Sequence, residues 1–215
     1  MKLFFPRCCA VQSSGIISLI FPAIILALLS GCASPGPKYL NLAYTSMIPA
    51  GERDQSAGLS RFTDKRTDMS KGYVGYRHLL GGKQEIFVVT GQDLSAALTR
   101  VTRSFLEHKG FSVTLVPPWP LTARGVAQMP ETFTRVVAAD INQFECQAEK
   151  TGATTHMTLV IDLTFYLASP DKNQITTVPV ALTLERTELV FSRKKLETFI
   201  NDAMEEILVK AFFLI

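Results

Sequence analysis

Apolar positions recur with clear periods in three stretches of the chain. In the first, Glu85 to Val89 reads as a strand, and Leu94, Ala97, Leu98, Val101 and Phe105 then fall at helical spacing on one face. Thr90, with Asp93 three residues on, is the expected N-cap, in the manner of a capping box. Gly110 supplies the residue past the helix end that accepts positive φ, and Phe111 to Val116 is the next strand. The unit is strand, helix, strand, so its two strands are expected to run parallel if they join one sheet.

The second stretch alternates strictly. Met157, Leu159, Ile161, Leu163, Phe165 and Leu167 share one side of a strand, and His156, Thr158, Asp162, Thr164 and Tyr166 share the other. "SPDKNQ" then supplies turn chemistry, and Val178, Val180, Leu182 and Leu184 alternate on the way back. Pro179 has no N–H to give a ladder, which places this strand at an edge or a bulge. The third stretch is a terminal helix capped at Ser192, with Leu196, Phe199, Ile200, Ala203, Ile207 and Leu208 as its core stripe and Glu206 and Lys210 as an outer i,i+4 pair.

Elsewhere the pattern is weaker. Val136 to Ala148 reads as a strand whose apolar phase shifts near Ile141 and Phe144, as at a bulge. "YLNLAYTSMI" alternates loosely and suits a first strand. Pro49 to Lys83 is rich in glycine and charge without a hydrophobic period, and is expected to be a long loop. "PPWP" interrupts regular structure, and its Trp119 suits a plug over one end of the sheet better than an exposed anchor. The elements add up to an α/β (α+β) two-layer sandwich: a mixed sheet of about five or six strands with two helices packed on one face.

The amino terminus follows a different pattern. Lys2 and Arg7 precede a run from Gly15 to Leu29 with no charge, the layout of a secretory signal. As a helix that run would reach about 22 Å, short of the roughly 30 Å of a hydrocarbon core. Pro22 further weakens a spanning helix, the competing reading being an uncleaved anchor. Leu29-Ser30-Gly31-Cys32 then resembles the bacterial lipobox. Small residues let the backbone lie extended in a peptidase cleft, and a thiol has the nucleophilicity to form a thioether.

The expected organisation is a lipoprotein signal peptide over residues 1–31, cleavage between Gly31 and Cys32, an acylated Cys32 with a Pro/Gly tether to residue 37, and one envelope domain over 38–215. The covalent diacylglycerol and N-acyl chain on Cys32 are the only attached groups expected, with no cofactor and no metal. Two or more acyl chains hold a protein stably at a membrane, which is the first expected partner. Ala33 rather than Asp after Cys32 implies, by resemblance to lipoproteins of two-membrane bacteria, transfer to the outer membrane, on its periplasmic side.

Cysteine usage agrees. Cys8 and Cys9 fall in the signal, so Cys146 is left alone in the mature domain, where a small apolar strand residue is expected. The formal charge of +3 offers no basic block to neutralise a row of phosphates, which argues against nucleic acid as a partner. There is no GxGxxG and no GxSxG, and "HLLGGKQ" lacks the first glycine and the Ser/Thr of a phosphate-binding loop. His78, His108 and His156 are far apart and read as a loop residue, the last turn of a helix and the wet face of a strand. The chain is therefore expected not to be an enzyme.

Two surfaces combine charge with binding chemistry. Arg61, Asp64, Lys65, Arg66, Tyr73, Tyr76 and Arg77, with Asp68 among them, form the candidate interaction surface, the competing reading being a mobile charged loop. Arg193, Lys194 and Lys195 open the terminal helix, where positive charge opposes the helix dipole; an acidic partner, acidic head groups and plain solvation all suit them.

With "FTDKR" and "DLSAALTRVTRSFLEHKGFSV" behind a lipobox, the chain resembles small YajG-like envelope lipoproteins. The matching elements are Asp64-Lys65-Arg66, a D-x-R after an early strand, and Gly110-Phe111, where a helix ends and a strand begins. The resemblance implies an outer-membrane lipoprotein with an envelope-facing α/β domain, and it implies no established catalytic residues. The function expected is a non-catalytic module that binds another envelope protein; the alternative is an auxiliary lipoprotein that binds a lipid or apolar ligand for a transport system.

Overall fold

The computed structural model describes residues 36–45, 55–67, 69–79, 81–91 and 93–213. The signal segment, Cys32 and Asp68 lie outside the described residues. The strands are β1 (Lys38–Leu40), β2 (Gln55–Ser60), β3 (Thr63–Asp64), β4 (Tyr73–His78), β5 (Gln84–Val89), β6 (Phe111–Val116), β7 (Arg135–Thr151), β8 (Thr154–Ser169) and β9 (Gln174–Glu188). Helix α1 (Leu94–His108) joins β5 to β6, the short α2 (Ala123–Val126) lies between β6 and β7, and α3 (Arg193–Phe213) ends the chain.

All nine strands of the described residues belong to one mixed sheet built around β7. One edge of β7 pairs antiparallel with β8 from Val136↔Ala168 to Thr151↔Thr154, and β8 pairs with β9. The other edge is shared by three parallel strands in succession: β2 at Arg135–Val137, β3 at Asp140–Ile141 and β4 at Cys146–Glu149. Beyond β2 lies β6, and beyond β4 lie β5 and β1, so the sheet forks along one side of its longest strand.

The bulge expected in β7 lies between Ile141 and Gln143. Before it, Val137, Ala139 and Ile141 face the core; after it, Phe144, Cys146 and Ala148 do. A strand reverses sides at every residue, so one extra residue, Asn142, keeps both halves of β7 on the same core. The Asn142 amide donates to Asp162 at 3.1 Å and Thr164 at 2.9 Å on β8, which holds the bulge in place.

Helices α1 and α3 cover one face of the sheet, and their expected stripes are all buried against it. On the opposite face, the alternate residues Val136 and Ala138 of β7 meet Trp119, Val126, Phe133 and Ala168 in a smaller cluster. Trp119 is thus the plug, carried over the start of β7 by the proline-rich segment and α2. Pro179 lies on β9, whose only partner among the described residues is β8, as its missing N–H requires. No helix among the described residues is long and apolar enough to cross a membrane.

The two-layer α+β architecture is as the periodicity predicts, with a larger sheet. The extra strands come from the segment expected to be a loop, which contains β2, β3 and β4. Their sequences escape a hydrophobic count because closeness, not side-chain size, buries them. Gly58 on β2 lies where an added Cβ would be 3.3 Å from Phe133 and Val116. Two further expectations are corrected. The α1 N-cap is Asp93, whose carboxylate accepts from Ala96 N at 2.8 Å, not Thr90; a three-residue span from cap to N3 fits Asp93 and the helix start at Leu94. Strands β5 and β6 share the sheet but run in opposite senses, because the β4–β5 hairpin reverses direction once on the path between them.

Candidate functional site

The charged segment expected to form one interaction surface is divided by the fold into fixed and exposed groups. Arg66 belongs to the first. Its side chain is 3% exposed, and its guanidinium donates from Nε and Nη2 to the two oxygens of Asp64 at 2.9 and 2.8 Å. Nη1 donates to the Tyr73 and Phe144 carbonyls at 2.9 and 3.1 Å. The D-x-R element is therefore a clamp that ties β3, β4 and β7 together at the fork. Arg66 N also donates to Asp64 Oδ1 at 3.1 Å, which fixes the carboxylate before the guanidinium reaches it. Burial acts to raise the Asp64 pKa, but the hydrogen bonds and charge of Arg66 outweigh it and hold the carboxyl below its usual value.

Tyr73 and Arg77 are fixed as well. Tyr73 Oη donates to Glu145 at 3.0 Å, and burial, followed by that carboxylate, raises the phenol pKa. Arg77 pairs with the buried Glu85 at 2.9 Å and lies over the Phe191 ring, 3.9 Å from its centroid. Lys38 reaches the same carboxylate at 3.4 Å. Half-buried Tyr76 packs edge-on to His78 on the sheet face away from the helices. Arg66, Tyr73 and Arg77 thus hold structure together and present little to a partner. Lys65 and Arg61 remain exposed.

Arg61 leads to a surface that the pattern of the sequence does not pick out. Its guanidinium pairs with Asp93, so the α1 cap and the end of β2 share one carboxylate. Nearby, Thr99 Oγ1 accepts from Phe62 N at 2.9 Å and donates to Ser95 O at 2.7 Å, pinning the β2–β3 turn to α1. Between α1 and β6 this leaves a groove of about 310 Å³ lined by Arg61, Arg100, Arg103, Leu115 and Val116. Arg100 donates to the Leu42 carbonyl at 3.1 Å and Arg103 pairs with Glu107 at 2.8 Å. Strand β6 pairs only with β2 among the described residues, so its outer edge borders the groove, and Leu115 is 58% exposed there. Leu115 falls on the same side of an alternating strand as Phe111 and Val113, which makes it look like core. Arg100 and Arg103 are three apart on the polar face of α1, a signal open to inspection in the sequence.

The remaining candidates sit as follows. His78 ends β4 instead of lying in a loop, His108 ends α1 against Tyr44, and His156 is on the wet face of β8, 3.1 Å from Thr187 Oγ1. Among the described residues no group of three or more His, Cys, Asp or Glu side chains is placed to hold a metal ion. Cys146 is buried in β7, and burial, with a smaller effect of Glu145, pushes its thiol up to about 12, so it carries no thiolate at neutral pH. Arg193 and Lys195 are paired with Glu197 and Glu188, while Lys194 stands exposed between them.

No family model matches the chain, and no curated protein matches it. Several solved structures do. An uncharacterized protein superimposes with a TM-score of 0.50 at 10% identity, over 82% of this chain and 95% of its own. A Xanthomonas campestris protein of the DUF330 family gives 0.44 at 10% identity, over 80% and 88%. Lipoprotein GNA1162 from Neisseria meningitidis gives 0.32 at 6% identity, over 72% and 98%. Likeness at such identities is one of fold, and the first of these supports the architecture described above.

Proposed function

We propose that this chain is a non-catalytic lipoprotein, anchored through Cys32 to the periplasmic side of the outer membrane, whose domain holds another envelope protein along the β6 edge. The observation that carries the reading is that edge: backbone groups without a strand partner among the described residues, an exposed Leu115 and a groove lined by three arginines. An extended segment with alternating apolar and acidic residues would add a strand there, its backbone supplying affinity and its side chains register. The anchor is supported by the basic start, the short apolar run and the Leu-Ser-Gly-Cys boundary.

The alternative, an apolar-ligand carrier, has one feature in its favour: a depression of about 240 Å³ lined by Phe105, Leu106, Phe111 and Phe212 with Lys109 and Arg135 at its rim. It is smaller than the roughly 300 to 1,000 Å³ of most ligand pockets. The layer between sheet and helices is filled by fully buried side chains such as Phe87, Phe105, Phe144, Phe165 and Phe199. The adaptor reading is therefore preferred.

A photo-crosslinking residue placed at Leu115 of the full chain in growing cells tests it. One specific envelope protein should be captured, and Arg103→Glu should reduce its yield severalfold. Capture of nothing, together with a lipid that co-purifies with the domain, would transfer support to the carrier. Metabolic acyl labelling, in parallel, should be lost on Cys32→Ala.

A further inference from the structure

Among the described residues the two most exposed large hydrophobic side chains are adjacent: Leu189 at 76% and Val190 at 69%, in the connection between β9 and α3. They border a depression of about 270 Å³ with Arg77, Lys150, Gly152, Ala153 and Phe191. The β7–β8 hairpin tip therefore stands beside them. Phe191 anchors this connection from below, stacked on Phe87 and covered by the Arg77 guanidinium. The aliphatic pair is thus held outward on a fixed base.

This is also the end at which the chain enters the domain. Lys38, the first residue of β1, shares the Glu85 carboxylate with Arg77. Cys32 precedes Lys38 by six residues, a span of at most about 22 Å when fully extended. A domain of this size has a radius of gyration of about 16 Å, so its diameter exceeds the tether. Acyl chains on Cys32 therefore bring the Lys38 end, with Leu189 and Val190, against the bilayer.

The charges suit such a surface. Glu85 is held by Lys38 and Arg77, Glu188 by Lys195, and Glu197 by Arg193. Exposed Lys83, Lys150 and Lys194 make no ion pair among the described residues, against one such carboxylate at this end, Glu149. Ammonium groups near an anionic membrane surface are attracted to it. Two aliphatic side chains alone would insert weakly, but beside an anchor they act at high effective concentration.

We infer that the end bearing Leu189 and Val190 docks onto the bilayer that holds the anchor, with both side chains inserted and Lys150 and Lys194 on anionic phospholipid head groups. The inference rests on the anchored reading and adds an orientation: the domain lies against the membrane instead of swinging freely above it.

The full acylated chain, reconstituted into vesicles of phosphatidylethanolamine and phosphatidylglycerol, tests this with Val190→Trp. Vesicles with brominated acyl chains should quench the added tryptophan emission at least twofold. Native Trp119, buried in the cluster at the start of β7, and Leu115→Trp at the β6 edge should both be spared. Lys150→Glu with Lys194→Glu should halve the quenching at position 190. Equal emission from Val190→Trp in brominated and plain vesicles, with protein that floats with the vesicles, would overturn the docking and leave the anchor standing. Protein that neither floats nor takes up acyl label would overturn both. Equal quenching in vesicles of phosphatidylcholine alone would overturn the part assigned to the lysines.

Discussion

Arg66 lies in a segment dense with charge, yet its side chain is nearly inaccessible and bonded at every nitrogen. Nothing in "FTDKRTDMSKGYVGYR" distinguishes it from exposed Lys65 except the aspartate two residues earlier, since the partners that bury it are carbonyls of β4 and β7. Its replacement removes a guanidinium from four acceptors and leaves the half-buried Asp64 carboxylate with only the Arg66 N–H from that residue. Arg66→Ala is accordingly expected to cost about 3 kcal/mol, read as a lower urea midpoint, while Lys65→Ala should stay within about 0.5 kcal/mol. The same clamp makes stability depend on acid. Asp64 titrates lower when folded than its ordinary value of about 3.9, so its contribution is complete above that pH and is lost as pH falls through the folded value. The stability difference between the native chain and Asp64→Asn should be constant from about pH 7 to 5 and close below about pH 4. A constant difference down to about pH 2.5 would contradict the assignment.

At the scale of elements, those with strong periodicity were legible: α1, α3, β8 and the β9 return strand occupy the expected residues. The elements that escaped are packed through small residues. In β4, Gly75 has φ +151°, and a Cβ there would lie 1.9 Å from the Cys146 carbonyl oxygen on β7. Glycine is required because the β4–β5 register shifts at this point, between Tyr73 and Gly75, where β4 also begins to pair with β7. Gly75→Ala should therefore cost at least about 2 kcal/mol, a fall of roughly 4 to 8 °C in Tm by calorimetry. An unchanged Tm would mean that β4 does not approach β7 so closely. The candidate site was half legible for a related reason. Arg61 stands out by its charge, but the groove it borders exists only because β6 is a sheet edge, and edge position depends on pairings between residues far apart in the chain.

For the molecule as a whole, residues 36–215 form one compact unit. A protein cut to begin at Gly36 should fold alone, with a Tm within about 2 °C of the full chain in detergent; a large loss would assign the preceding residues a structural role. The periodicity of the chain predicted the layers, because layer membership follows from local alternation. It did not predict the fork, because which strand lies beside which is decided by partners such as β2 and β7, about 80 residues apart. That separation bears on biogenesis. Strands β2, β3 and β4 are made early and find their shared neighbour only when β7 has been made, so the first half of the chain cannot complete a sheet by itself. A polypeptide of this design becomes a folded body only once the strand that unites its parts has been made.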